Sequence, residues 1–242
     1  MELSKNQIKL IKSLEQKKQR LKHQLFIAEG KKVVSELLSS SFELEKLFVS
    51  EDTRPFFEAY DFQLIKNTDF KKISALKTPN GVLAVFKIPK EKEVQKSGMI
   101  VALDSINDPG NLGTIIRLCD WFGVVQLVCS LDTVDCFNAK VVQATMGSLT
   151  RVNITYLQLD EYLSKVDVPV FCADMEGDNI YDTELPTTGV LVMGNEANGI
   201  SKTVENLCSN KLTIPRFGTI QETESLNVAT ATAIILSEFK RG

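Results

Sequence analysis

The sequence predicts an α/β protein whose larger part is a doubly wound, mostly parallel sheet with helices on both faces, preceded by a smaller α/β domain. Three observations predict it. Near-continuous apolar runs at 99–103, 124–128, 168–173, 189–193 and 211–214 have the composition of parallel strands covered on both faces. Segments with helical spacing fall between or after them, at 111–121, 137–146, 160–165, 201–208 and 226–239. Residues 87–98 (KIPKEKEVQKSG) are polar, with Pro near the start and Gly at the end, and separate this region from an earlier strand-helix alternation.

In chain order, residues 5–22 carry Ile8, Ile11, Leu14 and Leu21 at roughly helical spacing among seven Lys or Arg, which predicts an amphipathic basic helix. Short strands follow at 26–28, 44–49, 62–65 and 82–86, with a helix over 30–38 and shorter helical turns between them. The expected domains are therefore residues 1–96, linker included, and residues 97–242. No internal repeat or low-complexity tract interrupts either half.

A chain of 242 residues, 43% hydrophobic and 24% charged, buries a core without disulfide or metal staples. No apolar run approaches the roughly 18–20 residues of a membrane span, and the charged start has no secretory apolar region, so the expected location is cytoplasmic. Five scattered cysteines without a C-x-x-C pair, and a single histidine, His23, argue against a zinc site, so no metal is expected. One histidine in a lysine-rich stretch also argues against Ser-His-Asp and Cys-His chemistry and predicts an exposed helix end.

The formal charge of −3 hides an asymmetry. Residues 1–96 hold 19 Lys and Arg against 13 Asp and Glu, a net of +6, and residues 97–242 hold 9 against 18, a net of −9. A basic segment joined to an acidic one suits a polyanion-binding module, although charge alone fits a solvated lysine-rich face as well.

In sheets of this class ligands bind beyond the carboxyl ends of the strands. Three stretches stand there. The first runs from Asp104 through Asp108-Pro109-Gly110-Asn111 to Arg117, a turn-rich loop opening a helix, where Asn111 could simply cap and Arg117 simply face solvent. The second, Gly194-Asn195-Glu196-Ala197-Asn198-Gly199-Ile200-Ser201, nearly fits a phosphate loop, but Ile200 occupies the place of the essential lysine. It also lacks G-x-G-x-x-G, so nucleotide hydrolysis and dinucleotide binding are both disfavoured, and its plain reading is a turn with Ser201 capping the next helix. The third joins Ile214-Pro215-Arg216-Phe217-Gly218 to Glu224-Ser225-Leu226-Asn227-Val228, where the polar residues could cap the last helix, yet Asn227 is a poor filler for a helix interior.

In this order, each after a strand, the three resemble the SpoU (TrmH) family of RNA ribose 2′-O-methyltransferases in the SPOUT class: N-x-G-x-I-x-R, G-x-E-x-x-G-[IL]-S and I-P…[ES]-S-L-N-V. The match spans nearly all of 99–240. Residues 144–151 also resemble the family's segment between the first two motifs, and residues 1–96, with Phe26-Ile-Ala-Glu29-Gly30, resemble the ribosomal-protein-like substrate-binding domain of many members.

The resemblance implies a C-terminal trefoil knot, S-adenosylmethionine bound by Gly194, Ile214 and Leu226, and a homodimer with the cleft at its interface. It implies catalytic roles for Asn111, Arg117, Glu196, Ser225 and Asn227. It assigns deprotonation of the ribose hydroxyl to Arg117, but a guanidinium pKa of roughly 12.5–13.8 favours charge stabilisation of the developing alkoxide over base catalysis. Structured RNA is the implied partner, ribosomal RNA before transfer RNA. A transfer RNA methyltransferase and a non-catalytic RNA-binding dimer are the alternatives. The loop between Pro215 and Ser225, with Glu222 and Glu224, is a few residues longer than the family pattern suggests.

Overall fold

The computed structural model describes residues 3–220, 222 and 225–241. In chain order its elements are α1 (Lys5–Ser13), α2 (Lys17–His23), β1 (Leu25–Glu29), α3 (Lys31–Leu38), β2 (Leu44–Val49), β3 (Gln63–Leu64), α4 (Asn67–Ile73) and β4 (Val82–Lys87). They continue with β5 (Met99–Leu103), α5 (Pro109–Trp121), β6 (Gln126–Ser130), α6 (Ala139–Thr145), β7 (Asn153–Leu157), α7 (Leu159–Leu163), β8 (Val170–Asn179), β9 (Gly189–Met193), α8 (Lys202–Glu205), β10 (Asn210–Thr213) and α9 (Val228–Arg241). The chain divides into two compact units, Met1–Lys90 with Asp135–Thr150, and Glu91–Val134 with Arg151–Gly242.

The first unit is built on a sheet of order β1-β4-β2-β3, in which β1 and β2 run antiparallel to β4 and β3 runs parallel to β2. The single basic helix expected over 5–22 is two helices. Ser4 and Gln7 close a reciprocal capping box on α1, and the chain turns at 14–16 before α2 restarts. The restart shifts the helical register, so Leu21 is 55% exposed and Arg20 is 2% exposed. His23 ends α2 on the surface, as expected.

Arg20 is buried because its partners are built for it. Its Nε and Nη2 donate to Asp135 Oδ2 at 2.8 and 2.6 Å, and its Nη1 donates to the carbonyls of Leu14 and Glu15 at 2.8 Å each. The Phe137 ring packs 4.8 Å from that of Phe26. Gly147, at φ +102°, lets the backbone approach α3 so closely that a Cβ there would lie 2.6 Å from Glu36 Cβ. Residues 135–150 thus pack within the first unit, whereas the sequence reading grouped them with 97–242; side-chain pairing across the sequence, not chain order, decides their place.

The second unit holds a six-stranded sheet of order β10-β8-β9-β5-β6-β7, every neighbouring pair parallel. One face buries Ile100, Ala102, Val128, Val190 and Val192 against Leu159 and Leu163 of α7 and Val204 of α8. Strand alternation turns the intervening residues to the other face, where Phe171 of β8 meets Phe239 of α9 edge-on at 5.2 Å. Helices therefore cover both faces, as the apolar runs predicted. Strand β7 was not predicted: it is an edge strand of half-buried residues without a continuous apolar run.

Candidate active site

The site sits where the sheet order reverses. Strands β5 and β9 are neighbours with Leu103 opposite Met193 at their carboxyl ends, and β6 lies on the other side of β5, so the loops leaving β5 and β9 open into one crevice. In the first loop Asp108, not Asn111, caps α5: its Oδ1 accepts from Asn111 N at 2.8 Å, with Pro109 at the first helical position. This leaves the Asn111 side chain free for other partners. Its Nδ2 donates to Glu196 Oε1 at 2.5 Å, and its Oδ1 accepts from Asn227 Nδ2 at 2.8 Å.

Asn227 lies not inside the last helix but at its N-terminus. Its Oδ1 accepts from Ala229 N at 3.0 Å and Thr230 N at 3.2 Å, so it caps α9 while its Nδ2 reaches Asn111. Two backbone donors on Oδ1 set the orientation of that amide, which makes Asn111 Oδ1 the acceptor and Asn111 Nδ2 the donor to Glu196. The relay therefore has one direction, from the start of α9 to a carboxylate.

A second network fixes the two loops. Asn195 Nδ2 donates to Ser105 O at 2.7 Å, and Asn195 Oδ1 accepts from Ala197 N and Asn198 N at 2.9 and 3.1 Å. Buried Asp104 accepts from Ser201 N through Oδ2 at 2.7 Å. Ser201 stands at the start of α8 but its side chain makes no capping bond. Ser105 adopts φ +60°, a left-handed conformation rare outside glycine, and is held there by Ser130 Oγ on its N–H and by its own Oγ donating to Asp132 Oδ2 at 2.6 Å. Hydrogen bonds from Ser105 and then Ser130 hold the Asp132 carboxyl below its ordinary value. Asp104, Ser105, Asp132 and Asn195 carried no role in the sequence reading; the signal available was their place just after strands.

The remaining candidates sit around this core. Arg117 projects from α5 into solvent and makes no hydrogen bond or ion pair among the described residues. Ser225 and Leu226 are exposed immediately before Asn227, and Ile214 directly follows β10. The structure brings Asn111, Glu196 and Asn227 together; it shows no bond from Arg117 or Ser225 to them. Glu224 lies outside the described residues. Among the described residues no group of three or more His, Cys, Asp or Glu could hold a metal ion.

The residues at the strand ends fit S-adenosylmethionine. A Cβ on Gly194 would lie 2.4 Å from Gly199 C and 2.5 Å from Ile200 N, so bare backbone lines this turn. The other two candidates are apolar, Leu226 48% exposed and Ile214 half-buried, and no lysine occupies the phosphate position. Apolar faces with backbone polar groups suit an adenosyl moiety without phosphates.

A family model described as the SpoU rRNA Methylase family matches residues 98–237, and another described as the MRM3-like substrate binding domain matches residues 5–84. The 23S rRNA (guanosine(2553)-2′-O)-methyltransferase RlmP of Bacillus subtilis is 30% identical over 98% of this chain and 97% of its own length. A TrmH-family protein from Porphyromonas gingivalis superposes with a TM-score of 0.89 at 39% identity, covering 100% of this chain and 99% of that one. An AdoMet-bound rRNA methyltransferase from Sinorhizobium meliloti does so with a TM-score of 0.86 at 28% identity, covering 100% and 96%.

Proposed function

Because the chain belongs to the SpoU rRNA methylase family, we propose that it transfers a methyl group from S-adenosylmethionine to a ribose 2′-hydroxyl of ribosomal RNA. The observation that carries this reading is the relay from Asn227 through Asn111 to Glu196, which joins side chains of all three motifs in one crevice. Its relatives' names specify ribosomal RNA as substrate.

When bound, the sulfonium supplies an electrophilic methyl group. The protein has to orient the sugar and accommodate the negative charge that grows on its oxygen. Arg117, exposed and without a partner among the described residues, is the cation for that task, binding the neighbouring phosphate and stabilising the alkoxide. Asn111 and Glu196 orient the nucleotide, Ser225 and Asn227 line the pocket, and Gly194, Ile214 and Leu226 hold the adenosyl group through backbone and apolar contacts.

Residues 1–96, linker included, supply the RNA-binding domain, against which 135–150 pack, and the rest of 97–242 supplies the catalytic one. The chain leaves β10 at the sheet edge and returns at Asn227 beside α5, which follows a central strand; a trefoil knot accommodates that return. Trp121, 84% exposed at the end of α5, supports a homodimer. A ribosomal RNA substrate supports a cytoplasmic location.

The test is to incubate the purified chain with labelled S-adenosylmethionine and RNA from a strain lacking the gene, then to map 2′-O-methylation. Incorporation at one ribosomal position is expected. Labelling of transfer RNA alone would reassign the substrate, and absence of saturable cofactor binding would leave an RNA-binding scaffold.

A further inference from the structure

The first unit contains a cavity of about 370 Å³ whose lining includes Lys31, Asn67, Lys71, Asn80 and Gly81. We propose that it takes one unpaired nucleotide of the substrate RNA, an inference that rests on the function proposed above. Gly81, at φ +79°, forms a wall: a Cβ there would lie 2.4 Å from Ser50 Oγ, so backbone and small hydroxyls are packed tight. Gly30, at φ +91°, is also closely packed. A Cβ at Gly30 would lie 3.2 Å from Nδ2 of Asn80, whose side chain lines the cavity.

The exposed Asn80 amide in the lining offers both a donor and an acceptor, the complement of a nucleobase edge. At the rim the Lys31 ammonium sits 4.2 Å from the centroid of the Phe56 ring, which is 62% exposed, so a stacking surface and a phosphate ligand stand side by side. Two lysines face one acid, Asp52, in the lining, and residues 1–96 are net positive, which favours an anionic ligand. The volume suits a single splayed-out nucleotide and excludes a duplex.

The test uses the full chain and ribosomal RNA from a strain lacking the gene. Phe56→Ala and Asn80→Ala change exposed side chains. Each should weaken RNA affinity roughly tenfold at fixed ionic strength and leave S-adenosylmethionine affinity unchanged. Ultraviolet cross-linking of the wild-type chain should join RNA to the peptides carrying Lys31 and Phe56. Unchanged RNA affinity in both variants, or cross-links confined to other peptides, overturns the proposal. Methyl transfer by the wild-type chain is scored separately. Transfer whose RNA dependence both variants leave intact removes the pocket and keeps the function; cross-linking at Phe56 without transfer keeps the pocket and removes the function.

Discussion

Asn227 Nδ2 donates to Asn111 Oδ1 at 2.8 Å across 116 residues of sequence. The same Asn227 caps α9 through Oδ1, so one amide both starts a helix and tethers it to the motif that begins α5. Capping and a role in the site are thus not alternatives at this position. The cap sets the direction of the amide, and the direction of the amide sets which face of Asn111 meets Glu196.

These two roles separate by substitution. Asn227→Ala removes both and should cost about 1 kcal/mol of stability through the lost cap. Asn227→Asp keeps a capping oxygen but replaces the donor with a second acceptor facing Asn111. Its thermal midpoint should stay near that of the wild type while kcat/KM falls on the order of 10²-fold through misplacement of Asn111 and Glu196. Equal activity in Asn227→Asp and wild type would detach the relay from catalysis.

Arg117→Ala should lower methyl transfer by about 10²–10³-fold, the usual effect of removing one aimed charge or donor at a developing oxyanion. Its exposed side chain makes no bond to the strand-end turn among the described residues, so calorimetry should show unaltered affinity for S-adenosylmethionine. Loss of cofactor binding together with transfer would place Arg117 in the cofactor pocket instead.

Gly194→Ala inserts a methyl group against the backbone of Gly199 and Ile200, which cannot swing aside as a flexible side chain would. Shifting that turn should cost about 1–3 kcal/mol. The turn is also the proposed cofactor wall, so the affinity for S-adenosylmethionine should fall while Leu226→Ala, on a half-exposed apolar side chain, weakens binding without destabilising the fold. Denaturant melts paired with calorimetry distinguish the two effects.

How much of this was legible depends on where each interaction is local. The parallel strands were readable because burial on both faces leaves continuous apolar runs such as MIVAL and GVLVM. The meeting of Asn111, Glu196 and Asn227 was legible only through their place after strands and through the family resemblance, since no local pattern encodes a contact over 116 residues. Capping of α5 by Asn111, the plain alternative to a role in the site, falls instead to Asp108 one turn earlier, because both are good capping residues and only backbone geometry chooses between them. The burial of Arg20 was hidden for a different reason: an arginine in a lysine-rich helix looks solvated until a carboxylate 115 residues away is seen beside it.

Asp132 gives a pH-dependent handle on the same loops. Its carboxyl is held below its ordinary value by Ser105 and Ser130, so the folded state favours the ionised form. That stabilisation is complete above the ordinary aspartate value of about 3.9 and is lost as pH falls through the lower folded-state value. Wild type should therefore exceed Asp132→Asn in stability at neutral pH, and the gap in urea midpoints should close below about pH 3.9. A gap that persists unchanged into acid would show that the bond does not depend on the charge.

The Arg20–Asp135 pair decides whether a basic residue in the first helices serves RNA or the fold. Its side chain is 2% exposed and spends four of its five N–H donors on Asp135 and two carbonyls. Removing one partner of such a pair strands the other, which costs about 3–5 kcal/mol, far more than a surface ion pair. Arg20→Ala should therefore lower the urea midpoint strongly. Arg20→Lys keeps the charge but cannot fork to Asp135 and the carbonyls of Leu14 and Glu15 at once, so it should recover little of the loss. If Arg20 instead bound phosphate, Arg20→Lys would retain both stability and RNA affinity, and the salt dependence of RNA binding would weaken in Arg20→Ala alone.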